Sequence, residues 1–199
     1  MAVNCVALSD IDEAMNCTDP DNLPGITADV IYGYWDDVAV WPDFPVPSSS
    51  NAPLTLEQAG TLVGDLVMKT GTCAYKLTYT ADTGSFTITP QGDPGFESYL
   101  YALTLVSAKI RKVIFGFENA TRNRRMFLIV QDNNGTYYLM GDRRSGAKKA
   151  SSDGSVTGTS ATDKNQTTLV YNYNCSRKLV YEGDVEDILI PAPGGKISA

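Results

Sequence analysis

One short stretch constrains the fold more than any other. Met126 to Met140 reads MFLIVQDNNGTYYLM, two apolar or aromatic runs flanking Asp132-Asn133-Asn134-Gly135. Asn-Gly tolerates the positive φ angles that a type I′ turn demands, so the stretch predicts a β-hairpin. A chain built around such a hairpin must bury one or both faces of a sheet. The rest of the sequence supplies matching segments. Ile26 to Tyr34 (ITADVIYGY) reads as a first strand, and Glu97 to Val106 (ESYLYALTLV) as another. Cys73 to Thr80 and Ser85 to Thr89 alternate around Ala81-Asp82-Thr83-Gly84 and predict a second hairpin. Thr167 to Asn174 and Arg177 to Tyr181 read as closing strands. Eleven tyrosines suit pleated, half-buried surfaces.

Helix signals are few. Thr55 to Gln58 has capping-box spacing, but Gly60 and Gly64 hold any helix there to a short turn. Ile110, Val113, Ile114 and Phe117 fall at i, i+3, i+4 and i+7, with Ser107 as N-cap. That predicts one amphipathic helix packed on a sheet. The fold class is therefore mainly β (α+β), a β-sandwich or small barrel with one flanking helix. Residues 1–25 read as an irregular N-terminal arm, 26–190 as the β domain, and 191–199 as a flexible tail.

Two segments stand apart. WDDVAVWPDFPVPSSSNAP carries Pro42, Pro45, Pro47 and Pro53, which do not suit a sheet centre. Its Trp35, Trp41 and Phe44 make it too aromatic for a free linker. It reads either as an arm docking on a neighbouring subunit or as a loop covering its own core. After the Asn-Gly hairpin, GDRRSGAKKASSDGSVTGTSATDKN is long, polar and rich in Gly, Ser and Thr. A loop of that length is usually functional or ordered by a partner.

Chemistry is limited by what is missing. The sequence holds no histidine, so Ser-His-Asp and Cys-His nucleophile systems and the HExxH zinc helix are excluded. Asp82-Thr83-Gly84-Ser85 matches the D-T-G-S string of aspartic proteases, but those need two carboxylates sharing a proton and the string occurs once. Asp and Gly are also ordinary turn residues. The four cysteines, Cys5, Cys17, Cys73 and Cys175, form no CxxC pair, and in a reducing compartment thiols are expected. Gly92 to Gly95 lacks the lysine of a phosphate loop. No catalytic residue, metal ligand or cofactor is assigned, and the chain is read as not an enzyme. No signal peptide and no membrane span are read, so folding in a cytoplasm is expected.

Charge is acidic overall, −7 with a pI near 4.5, yet basic residues cluster. Arg122, Arg124 and Arg125 form one group; Arg143, Arg144, Lys148 and Lys149 form another. The functional reading is a patch that meets an acidic surface, either DNA or, favoured here, a neighbouring subunit, and the plain alternative is a solvated loop. Unlike surfaces on one chain suit head-to-tail contacts around a closed ring.

Several strings, in order, resemble the tail tube family of tailed phages, of the type found in phages and prophages of gut Bacteroidetes. They are LTLEQAGTLVGDLVMKTGTCAYKLTYTADTGSF, QGDPGFESYLYALTLV with SAKIRKVIFGF, FLIVQDNNGTYYLMGD, and GSVTGTSATDKNQTTLVYNYN. The last two carry most of the likeness. The sequence departs from the pattern at Gln166, where Gly is usual after Asp163-Lys164-Asn165, and in the basic loop Arg143 to Ser152. The resemblance implies a structural virion protein that forms a ring or tube of the tail or neck, sixfold or twelvefold, including the rings below the portal in crAss-like phages. Its implied partners are further copies of itself and neighbouring tail or neck proteins, with DNA passing without specific binding and no membrane. It implies assembly in the host cytoplasm and residence in the virion. Inter-subunit contacts are expected from both basic groups and from Trp35, Trp41 and Phe44. The alternative is a β-rich module for host or carbohydrate recognition, with those aromatics as an exposed platform.

Overall fold

Ile26–Tyr34 forms β1, with the bounds its residue pattern predicts. The computed structural model describes residues 5–11, 22–47 and 52–190, so Cys17, part of the N-terminal arm and the tail at 191–199 lie outside the described residues. The remaining elements come in this order: β2 (Val38–Val40), α1 (Leu56–Gly60), β3 (Val67–Met68), β4 (Tyr75–Thr78), β5 (Ser85–Gln91) and β6 (Ser98–Ala108). Then come α2 (Lys112–Ala120), β7 (Met126–Asp132), β8 (Tyr137–Met140), β9 (Lys148–Lys149), β10 (Ser155–Val156) and β11 (Gln166–Cys175).

The strands make two main antiparallel sheets, ordered β4-β1-β7-β8 and β10-β11-β6-β5, with β9 also paired to β11 and a small β2-β3 ribbon. The sheets stay open, so the chain is mainly β without a closed barrel, and the barrel form of the sequence expectation does not hold. Val30, Leu128, Val130 and Met140 of the first sheet meet Tyr101, Leu103, Leu105, Leu169 and Tyr171 of the second in one core. The opposite side of the first sheet is buried too. Ile31, Phe127, Ile129 and Leu139 pack under Trp41, Leu62, Leu66, Met68, Leu179 and Tyr181. That explains why β7 reads as an unbroken apolar run: both of its faces are covered, as in a central strand. Each such fully buried side chain contributes roughly 1.5–3 kcal/mol relative to exposure.

The Asn-Gly hairpin forms, with β7 and β8 paired from Leu128↔Met140 to Gln131↔Tyr137. Its turn is not type I′. Gly135 takes φ +93°, while neither asparagine has positive φ. The Asp132 carboxylate accepts from the backbone N–H of Asn134 (3.0 Å) and Thr136 (2.7 Å), which favours a three-residue loop closed by one left-handed glycine. The asparagines serve another purpose. Asn133 Nδ2 donates to the Pro24 carbonyl (2.8 Å), and Asn134 Oδ1 accepts from Leu23 N–H (2.8 Å), tying the arm to the turn.

The second expected hairpin is absent. β4 pairs with β1 and β5 pairs with β6, so Thr80 to Gly84 carries the chain from one sheet to the other. Tyr79 fixes this corner by donating to the Thr27 carbonyl at 2.8 Å. A Cβ on Gly84 would lie 2.5 Å from the Tyr79 ring, so only glycine lets the corner close this tightly.

α1 has the full capping box: Gln58 N–H donates to Thr55 Oγ1, and Thr55 N–H donates to Gln58 Oε1. Ser107 is not the cap of α2; it lies within β6, which runs on to Ala108. The chain turns at Lys109 (φ +68°), and Asn165 takes both adjacent N–H groups, from Lys109 (2.7 Å) and Ile110 (3.1 Å). Ile114 and Phe117 pack inward on Tyr32, whereas Val113 is exposed, so the buried stripe is narrower than the spacing suggests. Arg177 to Tyr181 is not a strand. It holds single bridges, Val180 to Thr61 and Tyr181 to Tyr137. Within the long polar loop, Asp163 accepts from the Thr159 and Ser160 backbone N–H groups and the Thr159 hydroxyl, which hold its carboxyl down at about 2.

Candidate functional site

The two basic groups of the sequence do not stay as two groups. Arg122, Arg124 and Arg125 follow α2 and lead into β7. Met126 and Ala147 exchange both backbone hydrogen bonds (2.9 and 2.7 Å), laying Lys148 and Lys149 beside the arginines. The five cations line one open cleft of about 780 Å³, with Glu118 and Asn119 on its helix side. Two arginines sit over aromatic rings. The Arg125 guanidinium lies 4.0 Å from the Trp35 ring centroid and that of Arg124 4.9 Å from Tyr34. A cation over a ring face is attracted by the ring quadrupole, which favours keeping these two guanidinium groups at the cleft. Lys149 pairs with Glu118. Among the described residues, Arg122, Arg124, Arg125 and Lys148 pair with no carboxylate.

Arg143 and Arg144 go elsewhere. They sit in a tight turn whose Asp142 carboxylate accepts from the N–H groups of Arg144 and Ser145, each at 2.6 Å. Arg143 bridges to Asp43 at 3.1 Å, with both side chains largely exposed. A pair of that kind contributes about 0–1 kcal/mol. Arg177, not singled out from the sequence, joins this region by donating to the Pro45 carbonyl (2.8 Å) beside the Phe44 ring.

The aromatic residues of the proline-rich segment turn inward. Trp41 is 6% exposed and meets Phe127 edge to face at a centroid distance of 6.3 Å. Trp35 is half-buried between Trp41 and Arg125, and its Nε1 donates to the Asp142 carbonyl at 2.7 Å. Phe44 packs against both cores. The segment thus covers the chain's own core, and the three rings form no exposed platform.

Asp82-Thr83-Gly84-Ser85 occupies the corner between the sheets, where the exposed Asp82 takes φ +59° and the Thr83 hydroxyl donates to the Thr80 carbonyl (2.5 Å). Turn chemistry accounts for every residue of the string.

Two further features lie outside the sequence expectations, although their signals are present in the chain. β5, β6 and β11 together contain no Asp, Glu, Lys or Arg, in a chain that is 20% charged. The face of this sheet turned away from the core carries Thr87, Thr89, Ala102, Thr104, Asn172 and Asn174, with Leu100, Val106 and Val170 among them and Lys148 of β9 opposite Asn172. Its β5 edge pairs with no other strand among the described residues. The second feature is acidic. Glu182, Asp184, Glu186 and Asp187 are all exposed, while Val185 and Ile188 between them are buried and anchor the strip.

No helix among the described residues is long and apolar enough to cross a membrane. No family model, curated protein or solved structure matches the chain.

Proposed function

We propose that the chain is a non-enzymatic structural subunit of a tailed-phage virion, closing with copies of itself into a ring or tube of the tail or neck through which DNA passes. The observation that carries this reading is the run of three adjacent charge-free strands, β5, β6 and β11, with the open β5 edge. An exposed edge strand on a free monomer is normally blunted by charges or covered, because it invites strand addition. β5 carries no charge, and Pro90 removes only one backbone donor near its end. Joining such edges around a closed ring removes them from solvent. The three strands themselves also carry no cation to grip the phosphates of passing DNA.

The competing reading, a β-rich module for host or carbohydrate recognition, relies on Trp35, Trp41 and Phe44 standing exposed. Their burial in the chain's own core removes its support. Electron microscopy of the purified protein and of the virion tests the proposal. Rings of uniform copy number are expected in both. A protein that stays monomeric at all concentrations and is missing from virions would overturn it.

A further inference from the structure

The cation cleft and the acidic strip are complementary and lie apart on the same molecule. The cleft borders Arg125 and Met126, where β7 begins. The strip comes after Tyr181, which bonds to Tyr137 where β8 begins. Because Gln131 pairs with Tyr137 and Leu128 with Met140, these are opposite ends of the β7-β8 ladder. The strip therefore does not fill the cleft of its own chain. Beside it, a groove of about 840 Å³ is bordered by Glu57, Asp65 and Glu182, with no lysine or arginine in its wall.

We infer that the cleft formed by Arg122, Arg124, Arg125 and Lys148 docks the acidic strip Glu182 to Asp187 of a second copy of this chain. The inference deepens the ring reading and rests on it for the choice of partner. Both surfaces are set before they meet. Trp35 and Tyr34 each carry a guanidinium over their ring, and buried Val185 and Ile188 anchor the exposed carboxylates between and beside them. Planar guanidinium groups with free N–H edges match carboxylates in paired hydrogen bonds. Base at one end and acid at the other is a heterologous pairing, which propagates from copy to copy until it closes. A nucleic-acid occupant is less favoured, because phosphate binding would have to overcome a net charge of −7 on the chain.

The test mixes isotopically heavy and light full-length chains at low ionic strength and joins carboxylates to amines with a zero-length carbodiimide. Heavy–light peptides linking Lys148 to Glu182 or Glu186 are expected. Their yield should fall about tenfold in the double variant Arg122→Glu, Arg124→Glu, which keeps the Lys148 amine, and likewise in about 0.5 M salt. Mixing that variant with Glu182→Lys, Asp184→Lys, Glu186→Lys should restore the pairing, now between reversed surfaces. Thermal melting checks that each variant folds, and the single Arg122→Glu variant serves if a multiple variant does not. Rings without this cross-link, or rings indifferent to the reversals, overturn the inference and leave the ring reading standing. The cross-link without rings keeps the inference and removes the ring reading. A labelled DNA oligonucleotide bound by the wild-type chain and lost on reversal, with no heavy–light cross-link, assigns the cleft to nucleic acid and overturns the inference.

Discussion

The Trp35 indole Nε1 donates to the carbonyl oxygen of Asp142 at 2.7 Å, joining positions 107 residues apart. The same Asp142 accepts from the hydroxyl of Tyr173 through Oδ2 at 2.9 Å, and from its own turn through Oδ1. One aspartate thus ties the proline-rich segment, the exit of β8 and the last long strand together. Asp142→Ala leaves the buried Tyr173 hydroxyl without its acceptor. We expect a loss of about 1–3 kcal/mol in urea denaturation, and a smaller loss for Tyr173→Phe, which removes the hydroxyl as well.

Trp41 fills the outer core beneath the proline-rich segment. Trp41→Ala should cost about 3–5 kcal/mol by the same measurement, since the ring meets Phe127 and Trp35 and leaves a cavity. A loss below about 1 kcal/mol would mean that the ring is not packed as described.

At the corner between the sheets, Gly84→Ala sets a methyl against a Tyr79 ring that is buried and bonded to the Thr27 carbonyl. The ring must shift to admit it, at the expense of that hydrogen bond. We expect a destabilisation of about 1–3 kcal/mol, with Tyr79→Ala/Gly84→Ala less than additive because the two changes share one contact.

Amide hydrogen exchange separates a free edge from a joined one. In the monomer, half of the β5 amides should exchange quickly, while the amides of β6, paired on both sides by β5 and β11, exchange slowly. In assembled material the β5 amides should become protected. If β5 exchanges equally fast in both states, rings are not joined at that edge.

Burial pushes the phenols of Tyr101 and Tyr171 up to about 12. A group whose folded pKa lies above its unfolded value of about 10 stabilises the native state below about pH 10. That contribution is lost as pH rises from about 10 through about 12. Absorbance in the near ultraviolet should show part of the eleven tyrosines ionising only above about pH 11, together with unfolding followed by circular dichroism. Ionisation of all eleven near about pH 10 with the fold intact would contradict the burial.

Much of the fold is legible in local pattern. β1, the β7-β8 hairpin and the α1 capping box are set by alternation, by Gly135 and by the Thr55–Gln58 spacing, all of which act over a few residues. What local pattern cannot convey is which strand pairs with which. Ala81 to Gly84 looks like a hairpin turn because turn residues serve equally well at a sheet-switching corner. Val113 fits a helical stripe, but only the position of the sheet decides that Ile114 and Phe117 use it. The cleft has the same character. Arg122, Arg124 and Arg125 are visible as a cluster, but their meeting with Lys148 and Lys149 depends on Met126 bonding to Ala147 across the fold.

The strand order also dictates how this chain must be made. β1 meets its neighbour β7 only after β4, β5 and β6 have been synthesised, and β6 must wait for β11, the last long strand. No contiguous half of the sequence holds both sheets complete. A growing chain therefore leaves one edge of β6 without its partner strand until Cys175 has left the ribosome, and a fragment cut before β11 lacks Leu169, Tyr171 and Tyr173 from its core.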